Sequence, residues 1–580
     1  MKKMINDIND IVNEMAMGIV AAHPELTYNP KYKIIRKKEI TKNKVTLLSG
    51  GGSGHEPAHA GFVGEGMIDV AVCGDVFASP SQIQVYHGIK ESVSDKGTLL
   101  IIKNYTGDIM NFKNAMALAQ EDGIEVDYVV VNDDIAVMDS LYTVGRRGVA
   151  GTVFVHKIAG AKAEEGAALS EVKKIAEKTI SNIHSIGFAL NSCTVPAKGS
   201  PIFELAENEI EYGVGIHGEP GIARKSMAQS HELAKEMIEA LVRESGIKES
   251  DEVAVMINGF GASPLMELYL LNNDVTRELS EKGIYVSRTF VGNYMTSIDM
   301  AGSSVTILKL DEELKKYLSM DSFTAGFTVK NPKDNEKYVK AEATIVNQVQ
   351  DLKVLDADAI IQEETFSKQN MIYLINRLAD NIISKEKEFC DLDAHAGDGD
   401  FGSSIAKGFR VLQNNLAEVV AQSNSISELL EHSSYIIMEQ CGGASGPIWG
   451  SAFRGAGKSV VGKETLTTVD FAMMLQDIVT AIQKTGERSF GRGAGIGDKT
   501  LMDALIPCAD VWQVESAKNK TFKELFKLGA EAAVAGAEKT KEIVARMGRA
   551  GTVGERSIGY PDAGAYALGV LFTDLAERIK

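Results

Sequence analysis

Three aspartates crowd one glycine-broken stretch of this 580-residue chain: Asp393, Asp398 and Asp400, in DLDAHAGDGDFGSS (391–404). Carboxylates held so close repel one another unless a cation neutralises them. A hard divalent ion such as Mg²⁺ takes oxygen ligands and completes its shell with water and phosphate oxygens. Gly397 and Gly399 let the backbone turn so that the carboxylates converge. An EF-hand calcium loop needs an acid or amide at its third position and Glu at its twelfth. Counted from Asp393, these positions hold His395 and Ser404, which leaves a solvated acidic turn as the plain alternative to a metal–phosphate site.

Glycine loops at helix starts recur nearby, in CGGASGPIWG (441–450), GRGAGIGDKTLMDA (491–504) and GRAGTVGERSIGYPDAGA (548–565). Free backbone N–H groups at a helix N-terminus suit phosphate, and Arg549 and Arg556 supply positive charge. One such loop alone would only cap a helix; beside the aspartates, the set points to a nucleotide. Neither a GxxxxGK[ST] loop nor an HRD/DFG pair is present, so the common phosphoryl-transfer folds are excluded.

The N-terminal half holds a second constellation. LLSGGGSGHEPAHAG (47–61) reads as a strand and a glycine loop ending at His55. Such a loop lets backbone approach a small ligand at the carboxyl edge of a sheet. It is not a dinucleotide fingerprint, because His-Glu-Pro follows Gly52-Ser53-Gly54. TLLIIKNYTGD (98–108) adds Lys103 and Asp108, and GVGIHGEPG (213–221) adds His217. Two histidines, an acid and a lysine at glycine-flanked strand ends form a candidate polar site.

The elements that must carry these groups differ between the halves. Up to residue 325, short β-branched runs alternate with helix-length segments, among them 45–54, 98–108, 126–134, 151–157, 187–193, 252–261, 283–292 and 304–310. This pattern predicts an α/β domain in two lobes built on parallel strands buried on both faces. Residues 326–365 are polar and lysine-rich and read as a linker. From 366 to 580, eight segments with helical spacing and no convincing strand predict an all-α domain. The formal charge of −18 argues against coating nucleic acid or an anionic membrane. No apolar run reaches the roughly 20 residues of a spanning helix. The start MKKMINDINDIV lacks a signal-peptide core, and five cysteines without a CxxC pair suggest reduced thiols in the cytoplasm.

Taken in order, GGGSGHEP, NYTGD, GIHGEPG, GDGDFG, GASG, GDKT and GERSIG…DAGA resemble the motifs of the dihydroxyacetone (glycerone) kinase family in its single-chain, ATP-dependent form. The resemblance implies that the α/β domain binds substrate and that the helical domain is a barrel of eight helices. His217 would add to the substrate carbonyl to form a hemiaminal, so that glycerol, which has no carbonyl, is rejected. Asp108 would be the general base, assisted by His55, while Gly52, Ser53, Gly54 and Lys103 hold the polyol. Asp393, Asp398 and Asp400 would coordinate two Mg²⁺ ions on the ATP phosphates. The nucleotide contacts would come from Phe401, Gly402, Ser403, Ser404, Ala444, Ser445, Gly493, Leu501, Arg549, Asp562, Ala563 and Gly564. The resemblance further implies a homodimer whose active site joins the α/β half of one subunit to the helical half of another. A longer ketose such as erythrulose, a phosphoprotein donor, a non-catalytic ketone sensor and an FMN-cyclising side activity stay open as alternatives.

Overall fold

A computed structural model of the chain describes residues 2–137, 145–339, 359–547, 551 and 554–580. The chain divides into two compact units, Met1–Ala341 and Glu342–Lys580.

The first unit contains two six-stranded sheets. In the first, the strands run in the order Leu26–Asn29, Ile34–Lys37, Val70–Val76, Thr46–Ser53, Thr98–Lys103 and Val126–Val131. Val70–Val76, Thr46–Ser53, Thr98–Lys103 and Val126–Val131 are parallel. Thr46–Ser53 and Thr98–Lys103 are buried at every residue, as expected for strands covered on both faces. Parallel strands end at one edge, so the segments after Ser53, Val76 and Lys103 emerge side by side.

The second sheet departs from the parallel expectation. Gly302–Lys309 lies between Ile183–Ala189 and Glu252–Gly259 and is antiparallel to both; only Glu252–Gly259 and Tyr285–Gly292 run parallel. A second correction concerns GTVFVHK. It belongs to the helix Thr152–Glu164, whose residues are buried on every side up to Ala161. A helix buried all round loses its amphipathic period and reads like a buried strand.

The span read as a linker is partly taken up by the flanking units. Thr328–Val329 pairs with Ser322–Thr324, and the Asn335 N–H donates to Ser287 O. At its other end, the Ile361 N–H donates to Lys580 O. Residues 340–358 lie outside the described residues.

The described residues of the second unit form ten α-helices, not eight, because two of the expected segments break: Lys368–Ser384 is followed by Glu386–Asp393, and Phe401–Asn414 by Leu416–Gln422. The eight long helices pack in sequence, through Ile426–Gln440, Ser445–Ser459, Thr468–Phe490, Met502–Ser516 and Phe522–Lys539, and Ala563–Arg578 packs back on Lys368–Ser384. The ring closes around one apolar core that includes Phe409, Trp449, Phe471, Trp512 and Leu571.

Candidate active site

The edge of the first sheet positions most of the polar groups in the α/β unit. His55 follows the strand Thr46–Ser53, Lys103 ends Thr98–Lys103, and Asp108 lies in the first turn of the helix Thr106–Glu121. Lys103 Nζ is 3.4 Å from Asp108 Oδ2. The ion pair is buried, and Asp108 Oδ1 has no hydrogen-bond partner among the described residues. Glycine is required beside it, because a Cβ at Gly51 would stand 2.3 Å from Lys103 Nζ.

His217 comes from the second sheet, on the loop after Glu209–Tyr212, and meets His55 with their Nε2 atoms 3.1 Å apart. The two lobes are clipped together there, since Thr296 N–H donates to His55 O and Ile298 N–H to Gly54 O. The Thr296 carbonyl accepts from His55 Nδ1 at 2.9 Å. Burial, reinforced by His217 and Lys103, holds the His55 pKa well below the ordinary imidazole value. Phe77 stacks on His55 at 5.0 Å, and Phe77 and Tyr105 meet the His217 ring edge-on at 5.1 and 4.7 Å.

Glu219 is a site residue that the sequence reading missed. It accepts from His217 Nδ1 at 3.1 Å and from the His217 backbone N–H at 2.9 Å. Burial pushes its carboxyl up, but His217 and Arg147 outweigh burial and leave the pKa at about 2. The signal was available in GIHGEPG as an acid two residues beyond the candidate histidine. Phe77 and Tyr105 carried no such local signal.

Of the remaining expected substrate residues, Ser53 Oγ donates to Gly74 O at 2.8 Å. Gly54 N–H donates to the Glu56 carboxylate at 3.0 Å. Gly52 packs against the backbone of Phe77 and Ala78, where a Cβ would come within 2.7 Å. These three shape the loop that carries His55.

In the helical unit, alternate connections of the ring converge on a cleft of about 190 Å³. Asp393, Asp398 and Asp400 line it, with carboxylate oxygens within 4.8 Å of one another. Asp393 accepts from the N–H groups of Gly399 at 2.9 Å and Phe401 at 3.4 Å. Burial, with Asp398 and Asp400 close by, raises its pKa. Phe401, Ser404, Ala444, Ser445, Leu501, Asp562, Ala563 and Gly564 also line the cleft. Helices begin at Phe401, Ser445 and Ala563, so their first-turn N–H groups border it.

Three residues expected as nucleotide contacts are not among those lining the cleft. Gly402 packs on the helix Glu386–Asp393, Ser403 N–H faces Cys390 Sγ at 3.2 Å, and Gly493 lies against Gln483. Arg549 lies outside the described residues. Lys499, from GDKT, is a binding post for the loops. Its buried ammonium donates to the carbonyl oxygens of Thr540 (2.7 Å), Tyr560 (2.9 Å), Ile543 (3.3 Å) and Ser557.

A unit with two six-stranded sheets, paired histidines and a buried Lys–Asp pair, followed by a helical ring with a three-aspartate cleft, defines a two-part class of protein. Residues 17–326 match the Dak1 domain and residues 395–577 the DAK2 domain. The chain belongs to the dihydroxyacetone kinase family. It is 33% identical to the triokinase/FMN cyclase of Mus musculus over 100% of this chain and 99% of that one. It is 30% identical to the D-erythrulose kinase of Mycolicibacterium smegmatis, again over 100% and 99%. The structure of the C. freundii dihydroxyacetone kinase in complex with AMP-PNP and Mg²⁺ covers 99% of both chains at 30% identity with a TM-score of 0.58. Among the described residues no helix is long and apolar enough to cross a membrane.

Proposed function

We propose that this chain transfers the terminal phosphoryl group of ATP to the terminal hydroxyl of dihydroxyacetone, with the substrate carbonyl held on His217. The observation that carries this reading is the 3.1 Å approach of the His55 and His217 Nε2 atoms. The Thr296 carbonyl only accepts, so His55 carries a proton on Nδ1; the Glu219 carboxylate likewise fixes a proton on His217 Nδ1. The two facing Nε2 atoms then need one proton between them. Burial disfavours a cation at His55, and the Glu219 carboxylate stands at the Nδ1 side of the His217 ring.

When a ketone binds, the proton held between the two facing Nε2 atoms passes to the carbonyl oxygen, and the His217 Nε2 lone pair left free forms a bond to the carbonyl carbon as the C=O π bond breaks. The product is a hydroxyl group and an N-substituted imidazolium, so atoms and charge balance. This is covalent anchoring. Asp108, held by Lys103 through Oδ2, keeps Oδ1 free to take the proton of the terminal hydroxyl.

Asp393, Asp398 and Asp400 fit a hard divalent cation, because oxygens from all three converge within one coordination shell's reach. We assign them to two Mg²⁺ ions of MgATP, whose phosphates would lie beside the helix starts at Ser445 and Ala563. Bound there, Mg²⁺ neutralises charge on the phosphoryl group in transfer. All five cysteines are free, which supports a reducing, cytoplasmic setting. Family likeness supports a homodimer.

One observation favours a second reading. A full-length relative is named for D-erythrulose, which offers the same ketone and terminal hydroxyl. Intact-protein mass spectrometry tests the anchoring shared by both readings. One ketose added per chain in the parent protein, and none in His217→Ala, is expected; an unmodified parent protein at saturating ketose would overturn it.

A further inference from the structure

Behind the Lys103–Asp108 pair, away from His217, lies a buried chain that the reaction above does not use. Lys103 Nζ is 3.1 Å from His59 Nε2, and His59 Nδ1 is 2.9 Å from His156 Nε2. His59 is 5% exposed, while Lys103 at 1% and His156 at 0% are essentially sealed. His59 sits four residues beyond His55, and His156 lies in the helix Thr152–Glu164, buried at every residue from Thr152 to Ala161.

The donor pattern has one consistent solution. An ammonium group has donors and no acceptor, so His59 must present its Nε2 lone pair to Lys103. The proton of neutral His59 is therefore on Nδ1 and is donated to His156 Nε2, which puts the His156 proton on Nδ1, where it has no partner among the described residues. Ser49 agrees independently: its hydroxyl donates to Ile101 O at 2.7 Å, so its oxygen can only accept from His59 Nδ1, 3.5 Å away. Both imidazoles stay neutral beside the ammonium. Burial and Lys103 hold His59 well below the ordinary value and push His156 down to about 3. Gly50 O at 3.4 Å and Asp108 Oδ2 at 3.4 Å take the other two ammonium donors.

We infer that His59 and His156 are positioning residues, which lock the Lys103 ammonium so that it holds one oxygen of Asp108 and leaves the other free for substrate. Neither needs to touch substrate. His156 acts by fixing the tautomer of His59. Without it, His59 can flip to the Nε2–H form and turn a donor toward the ammonium, displacing Lys103 from Asp108.

This inference rests on the proposed role of Asp108, so its test has two arms on the full chain. The first needs no activity. With ¹⁵N-labelled histidine, the resonances lost in His59→Gln identify His59, which is expected to carry a proton on Nδ1 and none on Nε2. An Nε2–H or doubly protonated His59 overturns the inference even where turnover is normal. The second arm is kinetic. His156→Leu is expected to lower kcat with the ketose by up to about tenfold, the effect of losing one neutral hydrogen bond, with KM for ATP unchanged. His156→Gln restores an acceptor for His59 and is expected to recover most of the rate. Equal rates in the Leu and Gln variants overturn the inference. A parent protein with no turnover on any ketose overturns the proposed function instead and leaves the tautomer measurement to decide this one.

Discussion

Gly215 shows how little freedom the His217 loop has, since a Cβ there would lie 2.0 Å from Glu219 Oε2 and 2.6 Å from Arg147 Nη1. Arg147 in turn bonds Asp134 and Gly213 O, which fixes a guanidinium beside the carboxylate behind His217. Glu219→Gln keeps the shape and removes the charge. We expect kcat/KM for the ketose to fall roughly tenfold to a hundredfold, as for loss of an outer-shell carboxylate that orients a histidine, while KM for ATP holds. An unchanged kcat/KM would show that Glu219 does not act on His217. The same group has a pH signature. Its folded pKa of about 2 lies below the ordinary carboxyl value of 4.5, so its contribution to stability is complete above pH about 4.5 and is lost as pH falls toward 2. The difference in thermal midpoint between the parent and Glu219→Gln should therefore be larger at pH 7 than at pH 3. A gap independent of pH would contradict the depressed pKa.

At the scale of elements, legibility in the sequence followed locality. The three aspartates were readable because one glycine-rich turn carries all of them, and His55, Lys103 and Asp108 because each ends a strand or opens a helix. His59, His156, Phe77 and Tyr105 come together only through the parallel order of the first sheet and the burial of the helix Thr152–Glu164, and no local spacing announces that. The same total burial disguised GTVFVHK as a strand. In the helical unit, GDGDFG combined two jobs that the sequence could not separate. Asp398 and Asp400 face the cleft, whereas Gly402 lets Phe401–Asn414 pack on Glu386–Asp393, with a Cβ there only 2.1 Å from Glu386 O. Gly402→Ala should thus destabilise the protein by about 1–3 kcal/mol through overpacking. Thermal unfolding checks this, and an unaltered midpoint would mean that the two helices separate without strain. Its ketose adduct should persist, because the change lies in the other unit.

Across the whole molecule, the proposed ketone site and the proposed nucleotide site lie in separate compact units with separate cores. Asp398→Ala should accordingly abolish turnover with MgATP and leave the ketose adduct at His217 intact by mass spectrometry. Loss of the adduct in that variant would show that the units are not independent. The most direct test of the account is an ADP-release assay with MgATP, in which dihydroxyacetone, erythrulose, glyceraldehyde and glycerol are compared side by side. Strong turnover with a ketose and none with glycerol is the predicted result, and the ratio of kcat/KM values assigns triose or tetrose. Comparable turnover of glycerol, or none with any of the four, would contradict a kinase that selects its substrate through the carbonyl.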